Sequence, residues 1–295
     1  MLEYTIGKND ADICADKFLL KATGAPSSMI YKAFRKKDVK INGKWIKSDY
    51  VLKTGDVLRI YIKEDFRVQK SFTPCAVTAE AVYEDENIVI LNKPVNVPCQ
   101  PDAMHQTGTL ADMLKSYLYK KEEYFPDSEN SFSPALCNRL DTNTRGLVIG
   151  AKNAQALREM NELIRKRLVH KFYICRAEGM PPKKEQFVKT HIIKEEKQNK
   201  SYISDTGGKE IAMEYKVLDF KNNISTIEIL LHTGRSHQIR AYFASVGCPL
   251  CGDTKYGAKS SGGQNLTAYK IVFDFGSEYC GLLSYLDKKT VALSI

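Results

Sequence analysis

The sequence predicts an α+β protein: a large domain around a mostly antiparallel or mixed β-sheet, preceded by a small α/β domain. Three observations carry this. Beyond residue 80 strand-like runs outnumber helical ones, and they do not alternate with helices as a doubly wound parallel sheet would require. Residues 12–62 have a separate rhythm of their own. Between the two, a stretch of mixed charge lacks periodicity. The expected division is therefore 1–62 for the small domain, 63–79 for a linker and 80–295 for the large domain, which a chain of 295 residues has enough core-forming sequence to build.

In chain order, DICADKFLLKAT and SSMIYKAFRKK are apolar-periodic segments separated by the breaker GAP, and predict two helices. VKINGKWI sets Asn42-Gly43 between short alternating runs, a hairpin signal, and TGDVLRIYI reads as a turn followed by a strand. The linker is KEDFRVQKSFTPCAVTA. AVYEDENIVILNKP then gives a strand, an acidic turn and a second strand that stops at Lys93-Pro94, because proline has no N–H to continue a ladder. TLADMLKSYLYK is an amphipathic helix with Thr109 placed to cap it. Strands follow at LVIGAK, KFYICRAEG, EYKVLDF, STIEILL and AYKIVFDF, with helices at AQALREMNELIRKR and SHQIRAYFASVG.

Composition narrows the function classes. Forty-four Lys and Arg against 35 Asp and Glu leave +9, which favours an anionic partner such as nucleic acid. No stretch approaches a membrane span, and the start MLEYTIGKNDADIC carries acids where a secretion signal needs basic and then apolar residues, so a cytoplasmic location is expected. The eight cysteines are scattered through apolar segments and read as reduced core thiols. Neither a Walker phosphate loop nor a Gly-x-Ser-x-Gly elbow occurs, which removes the main support for a nucleotide hydrolase or a serine esterase. His232, His237, Cys248 and Cys251 form H-x4-H followed by C-x2-C, but the spacing is no familiar zinc finger, and no metal is expected.

Reactive groups concentrate in CNRLDTNTRGLVIGAKN, KFYICRAEG and LHTGRSHQIRAYFASVGCPLCGDTKYG. Asp141 lies in a polar turn before an apolar strand, with Arg139 two residues earlier and Gly146 ending the turn. Such strand-edge loops commonly carry function, although an aspartate there can equally cap its own turn. Arg235, His237 and Arg240 stand at the start of a helix whose other face, Ile239, Tyr242, Phe243 and Val246, is apolar. Two guanidiniums at a helix N-terminus suit a phosphate or a carboxylate such as Asp141, with an ordinary surface ion pair as the alternative. Lys32, Arg35, Lys36, Lys37 and Lys40, on the second helix and its exit, can track phosphates and release their counterions, or form a solvated face.

NRLDTNTRGL resembles the signature of the RluA family of pseudouridine synthases, in which His-Arg-Leu-Asp is followed two residues later by Thr-Ser-Gly. LHTGRSHQIRAYFASVGCPLCGD and YEDENIVILNKP resemble that family's downstream and early blocks, so three motifs stand in the expected order across 80–275. KKDVKINGKWIKSDYVLKTGDVLRIYI is similar to the S-four RNA-binding domain, named for a ribosomal protein. The resemblance implies the pseudouridine synthase fold and the isomerisation of a uridine already in RNA, by breaking its glycosidic bond and rejoining the base through its fifth ring carbon. It implies no cofactor, no metal and no small-molecule partner. Ribosomal RNA is the favoured substrate and transfer RNA the second, for a protein expected to act as a monomer.

By the same resemblance Asp141 is the catalytic aspartate, Tyr173 the active-site tyrosine, Arg240 the basic partner of the aspartate and Arg139 a residue that helps displace the target base. Arg235, His237 and the lysine-rich cluster of the small domain would contact RNA. The chemistry is coherent: an aspartate acts as a nucleophile when ionised, a form that a neighbouring guanidinium favours. A tyrosine can stack on an extruded base and assist proton loss, and extrusion itself takes about a few kcal/mol. Whether the carboxylate attacks the sugar, attacks the base or removes a sugar proton is left open by the residues. Two positions depart from the pattern: Asn138 replaces histidine and cannot become cationic near neutral pH, and Arg145 replaces a small serine. They keep open a non-catalytic RNA-binding or ribosome-assembly protein on the same fold.

Overall fold

Two sheets, each closed by its own helices, organise the chain, and a computed structural model describes residues 1–62, 72–276 and 279–294. The first runs β1 (Leu2–Thr5), α1 (Ala15–Thr23), α2 (Ser27–Arg35), β2 (Val39–Ile41), β3 (Lys44–Trp45) and β4 (Val57–Ile60), with strand order β1-β4-β2-β3. Helix, helix, hairpin and strand thus occur in the predicted sequence, with α1 starting three residues later than its periodicity suggests, after Asp12 at φ +61°. Asn42 and Gly43 take φ +49° and +86°, the left-handed pair of a tight hairpin. Strand β1 has no counterpart in the sequence reading. Its four residues are too few for a period, and only pairing with β4, Leu2 opposite Ile60, makes them a strand. Phe18, Leu19, Ile30, Val39 and Leu58 fill this core.

A polar seam joins this unit to the rest. Asn9 donates to Glu129 at 2.8 Å and accepts from the backbone N–H of Ala154 at 3.0 Å, while Asn130 and Ser131 donate to Asp10 at 2.8 and 2.7 Å. Of the expected linker, residues 63–71 lie outside the described residues. Its second half is packed: Phe72 lies against Tyr119 with ring centroids 5.3 Å apart and the planes inclined at 60°, and the Cys75 N–H donates to the Ser116 hydroxyl.

The second sheet is built by β5 (Glu80–Glu84), β6 (Ile88–Lys93), α3 (Leu110–Lys120), β7 (Ala135–Leu136), β8 (Arg145–Ala151), α4 (Ala154–Arg165), β9 (Val169–Glu178), β10 (Glu185–Glu195), β11 (Lys200–Ser204), β12 (Lys209–Lys221), β13 (Ile224–Leu231), α5 (Gln238–Ser245), β14 (Leu266–Phe273) and β15 (Thr290–Ala292). The strand order is β11-β10-β12-β13-β9-β14-β8-β6-β5. Among the described residues the pairs are antiparallel except β14 with β8, so the molecule is α+β, as expected. Strand β6 ends at Lys93, where proline follows. Thr109 caps α3 in a full capping box with Asp112.

IVIL and LVI read as continuous apolar runs because both faces of the sheet centre are covered. Val89, Leu91 and Val148 face α3 and α5 in one core, and Ile88, Ile90, Leu147 and Ile149 face α4 in another. Strands β10 and β11 escaped the sequence reading. Glu and Lys interrupt EQFVKTHIIKE, and only Val188 and Ile192 of that strand are buried.

The described cysteines are free thiols. Cys99, Cys175 and Cys248 are buried, but Cys280 is exposed, so a core role does not extend to it. It lies in the loop between β14 and β15. No helix among the described residues is long and apolar enough to cross a membrane.

Candidate active site

Asp141 stands in the loop between β7 and β8. The turn is closed by backbone, the Thr144 N–H donating to the Asp141 carbonyl at 3.0 Å. The carboxylate is therefore not spent on capping. Its Oδ2 lies 3.4 Å from Arg240 Nη1 and 3.9 Å from His237 Nε2.

Three contacts fasten this loop from elsewhere in the chain. The buried Lys93 ammonium donates to the carbonyls of Pro94, Val97 and Thr142 at 2.7–2.8 Å. The Leu140 N–H donates to Cys99 Sγ at 3.3 Å. Gln264 donates to the Thr144 hydroxyl at 2.6 Å, inside the protein. Asp141 is thus gripped at residues 140, 142 and 144. Gly146 completes the exit: at φ +121° it passes so close to β14 that a Cβ would lie 2.2 Å from the Ala268 carbonyl oxygen, so only glycine fits.

Arg240, in the first turn of α5 and buried, makes a bidentate pair with buried Asp253: Nε to Oδ2 at 2.6 Å and Nη2 to Oδ1 at 2.8 Å. Its guanidinium also lies over the Tyr256 ring, 4.9 Å from the centroid. Burial opposes the arginine cation, but the hydrogen bonds and charge of Asp253, with Asp141 adding, hold its pKa above the ordinary value. Arg240 therefore presents a fixed positive charge to Asp141.

His237 caps α5 at φ +55°, with Nδ1 3.0 Å from the Tyr256 hydroxyl. Burial pushes its pKa down, Asp141 pulls the other way, and Arg240 and Lys255 push down again, leaving it neutral near pH 7. Tyr173, buried on β9, has its hydroxyl pKa raised by burial and further by Asp141 and Cys99, so it stays a neutral phenol.

Asp141, Tyr173, Arg240, Arg139, Arg235 and His237 line one cavity of about 480 Å³. The structure thus gathers six sequence-predicted residues. Lys32, Arg35, Lys36, Lys37 and Lys40 are not in it and lie on the small unit's surface. The departures have structural uses. Asn138 accepts from the Ile149 N–H at 2.8 Å, and Arg145 donates to Thr267 at 2.9 Å across the β8–β14 pair. His232 pairs with Glu214 at 2.8 Å, and no group of three or more metal-ligating side chains forms among the described residues.

Residues 87–245 match the RNA pseudouridylate synthase family, over half the chain. The chain belongs to that family. It is 32% identical to an uncharacterized RNA pseudouridine synthase of Mycoplasma capricolum subsp. capricolum, over 99% of this chain and 97% of that protein. It is 29% identical to the ribosomal large subunit pseudouridine synthase C of Haemophilus influenzae, over 86% of this chain and 79% of that one. The solved structure of human RNA pseudouridylate synthase domain containing 4 shares the fold, with a TM-score of 0.58 at 20% identity over 73% of this chain and 88% of its own. The molecule is thus a pseudouridine synthase, an isomerase.

Sequence reasoning missed four residues of this synthase's candidate site. Asp253 ends the block that contains Arg240, yet nothing local marks it. Lys93 and Cys99 act on the Asp141 loop from about forty residues upstream. Lys171 could have been found: it precedes Tyr173 by two residues on β9, so both side chains share a sheet face. It lines the cavity, burial pushes its pKa down, and it has no ion-pair or hydrogen-bond partner among the described residues.

Proposed function

We propose that this pseudouridine synthase acts in RluA fashion on uridines of ribosomal RNA, with Asp141 as nucleophile, and that an S-four-like small domain helps to hold the RNA. One observation carries the reading: Asp141 points into the shared cavity, free of its own turn and within 3.4 Å of the Arg240 cation. Over the cycle the C1′–N1 bond breaks, the base turns, C1′ joins C5, C5 loses its proton and N1 gains one, and the bond that the Asp141 carboxylate forms to the substrate is broken again before release. Arg240 orients the carboxylate. As a neutral phenol, Tyr173 offers a ring for the extruded uracil and a hydroxyl beside it. Arg139, Lys171 and Arg235 supply cations that the fold leaves for phosphates, and Arg139 fills the place of the flipped base. The neutral His237 contributes hydrogen bonding to the RNA.

Ribosomal RNA is supported by the name of the Haemophilus influenzae relative. Asp141→Asn is expected to abolish tritium release from the fifth carbon of labelled uridine while leaving RNA affinity within a few-fold. Undiminished release would remove Asp141 from the chemical step. Mapping pseudouridine in cellular RNA with and without the protein tests the substrate; a site lost from transfer RNA alone would overturn the ribosomal assignment.

A further inference from the structure

Outside the catalytic cavity, positive charge is concentrated in one short segment. Residues 27–47 carry seven lysines and arginines against one acid, Asp38, a net +6 in a chain whose total is +9. None of the seven forms an ion pair among the described residues. Besides Tyr31, whose hydroxyl donates to Asp16, two exposed aromatics stand in or beside this field at the sheet, Trp45 at 53% and Tyr61 at 43% exposure.

The sheet places them together. Trp45 on the edge strand β3 is directly opposite Lys40, which in turn is opposite Arg59 on β4. Val39 and Ile41, alternating with Lys40, point into the core, so the Lys40 row faces solvent. Lys37 Nζ lies 4.8 Å from the Trp45 ring centroid and Lys40 Nζ 5.3 Å from that of Tyr61. Each ring is thus paired with a cation that forms no ion pair with an acid among the described residues.

We propose that this face binds single-stranded RNA, unpaired bases stacking on Trp45 and Tyr61 while Lys37 and Lys40 take the adjoining phosphates. It rests on the reading of the small domain as an RNA-docking unit and adds the kind of RNA it takes. The stacking face of any base suits an exposed indole, and the lysines match the backbone charge. In an RNA duplex the bases are stacked on one another and unavailable to the rings. The surface therefore selects loops or single strands.

Trp45 is the chain's single tryptophan, so its fluorescence reports this site in the intact protein. Titration with a short unstructured oligouridylate is expected to quench it saturably, and a duplex of equal length to leave it nearly unchanged. Trp45→Ala should weaken binding of the labelled oligonucleotide about tenfold, and Trp45→Phe should restore most of it. Absent quenching, or Trp45→Ala binding as wild type, overturns stacking, as equal quenching by duplex overturns the selection for unpaired bases. The double variant Lys36→Glu, Lys37→Glu separates the two levels: if it weakens binding when Trp45→Ala does not, docking stands and stacking fails. If neither variant changes affinity, docking on this face fails as well.

Discussion

Arg240 grips Asp253 more tightly than it approaches Asp141: two hydrogen bonds of 2.6 and 2.8 Å against one contact of 3.4 Å. The first pair fixes the guanidinium, and the remaining nitrogen faces Asp141. Asp253→Asn keeps the shape and removes the charge. Breaking one side of a buried pair costs roughly 3–5 kcal/mol, so a marked fall in thermal unfolding temperature is expected. Tritium release should fall at least tenfold while RNA affinity holds. A variant as stable and active as wild type would show that Arg240 is positioned by something else.

Lys93 links pH to the grip on the Asp141 loop. Burial pushes its ammonium down to about 8 from the ordinary 10.5, against the upward pull of Cys99 and Asp141. Between those values the unfolded chain keeps the proton and the native one does not. The stability contribution of this group therefore rises with pH through that window, the penalty of burying the cation being complete below about 8. Activity should move the opposite way, because a neutral amine has two N–H groups for three carbonyls. A rate profile of the wild type is expected to decline above about pH 8. Lys93→Met should lower activity throughout and abolish that decline, and an identical profile in both would exclude Lys93 as its cause.

Asn138 tests whether the departure from histidine is structural. Asn138→Ala removes the acceptor of the Ile149 N–H, and a buried donor without a partner costs about 1–3 kcal/mol. Urea denaturation should show the loss at an unchanged slope. No loss would mean that water replaces the side chain there.

Arg139, Lys171 and Arg235 are predicted to act on phosphates. Each change to Met should reduce the slope of log affinity against log salt by about 0.7–0.9. A slope unchanged in all three would place the RNA backbone elsewhere.

Much of the fold was legible in local sequence. The helix cap at Thr109 was anticipated from its threonine, the hairpin from Asn42-Gly43, and the end of β6 from Lys93-Pro94, because these depend on neighbours within a few residues. Strands β1, β10 and β11 were not legible, since they hold through pairing rather than through an apolar period. Asp141, Tyr173 and Arg240 were marked by motifs, and the cavity contains all three. Lys93, Lys171 and Asp253 lie inside those motifs, but nothing in the motifs assigned them a role, and Cys99 lies outside them.

By itself, then, the sequence determined the residue types at each point of the site, the turn that holds Asp141 and the helix start that holds Arg240. Only the tertiary structure decided that Asp253, not Asp141, is the closer partner of Arg240, and that the Lys93 ammonium ends among three carbonyls. Local signals act through propensity and hydrogen bonds over a few residues. Charge pairing and burial depend on how segments separated by 13 residues (Arg240 and Asp253), 49 (Lys93 and Thr142) or 99 (Arg240 and Asp141) are brought together, which is decided only once the sheet has formed.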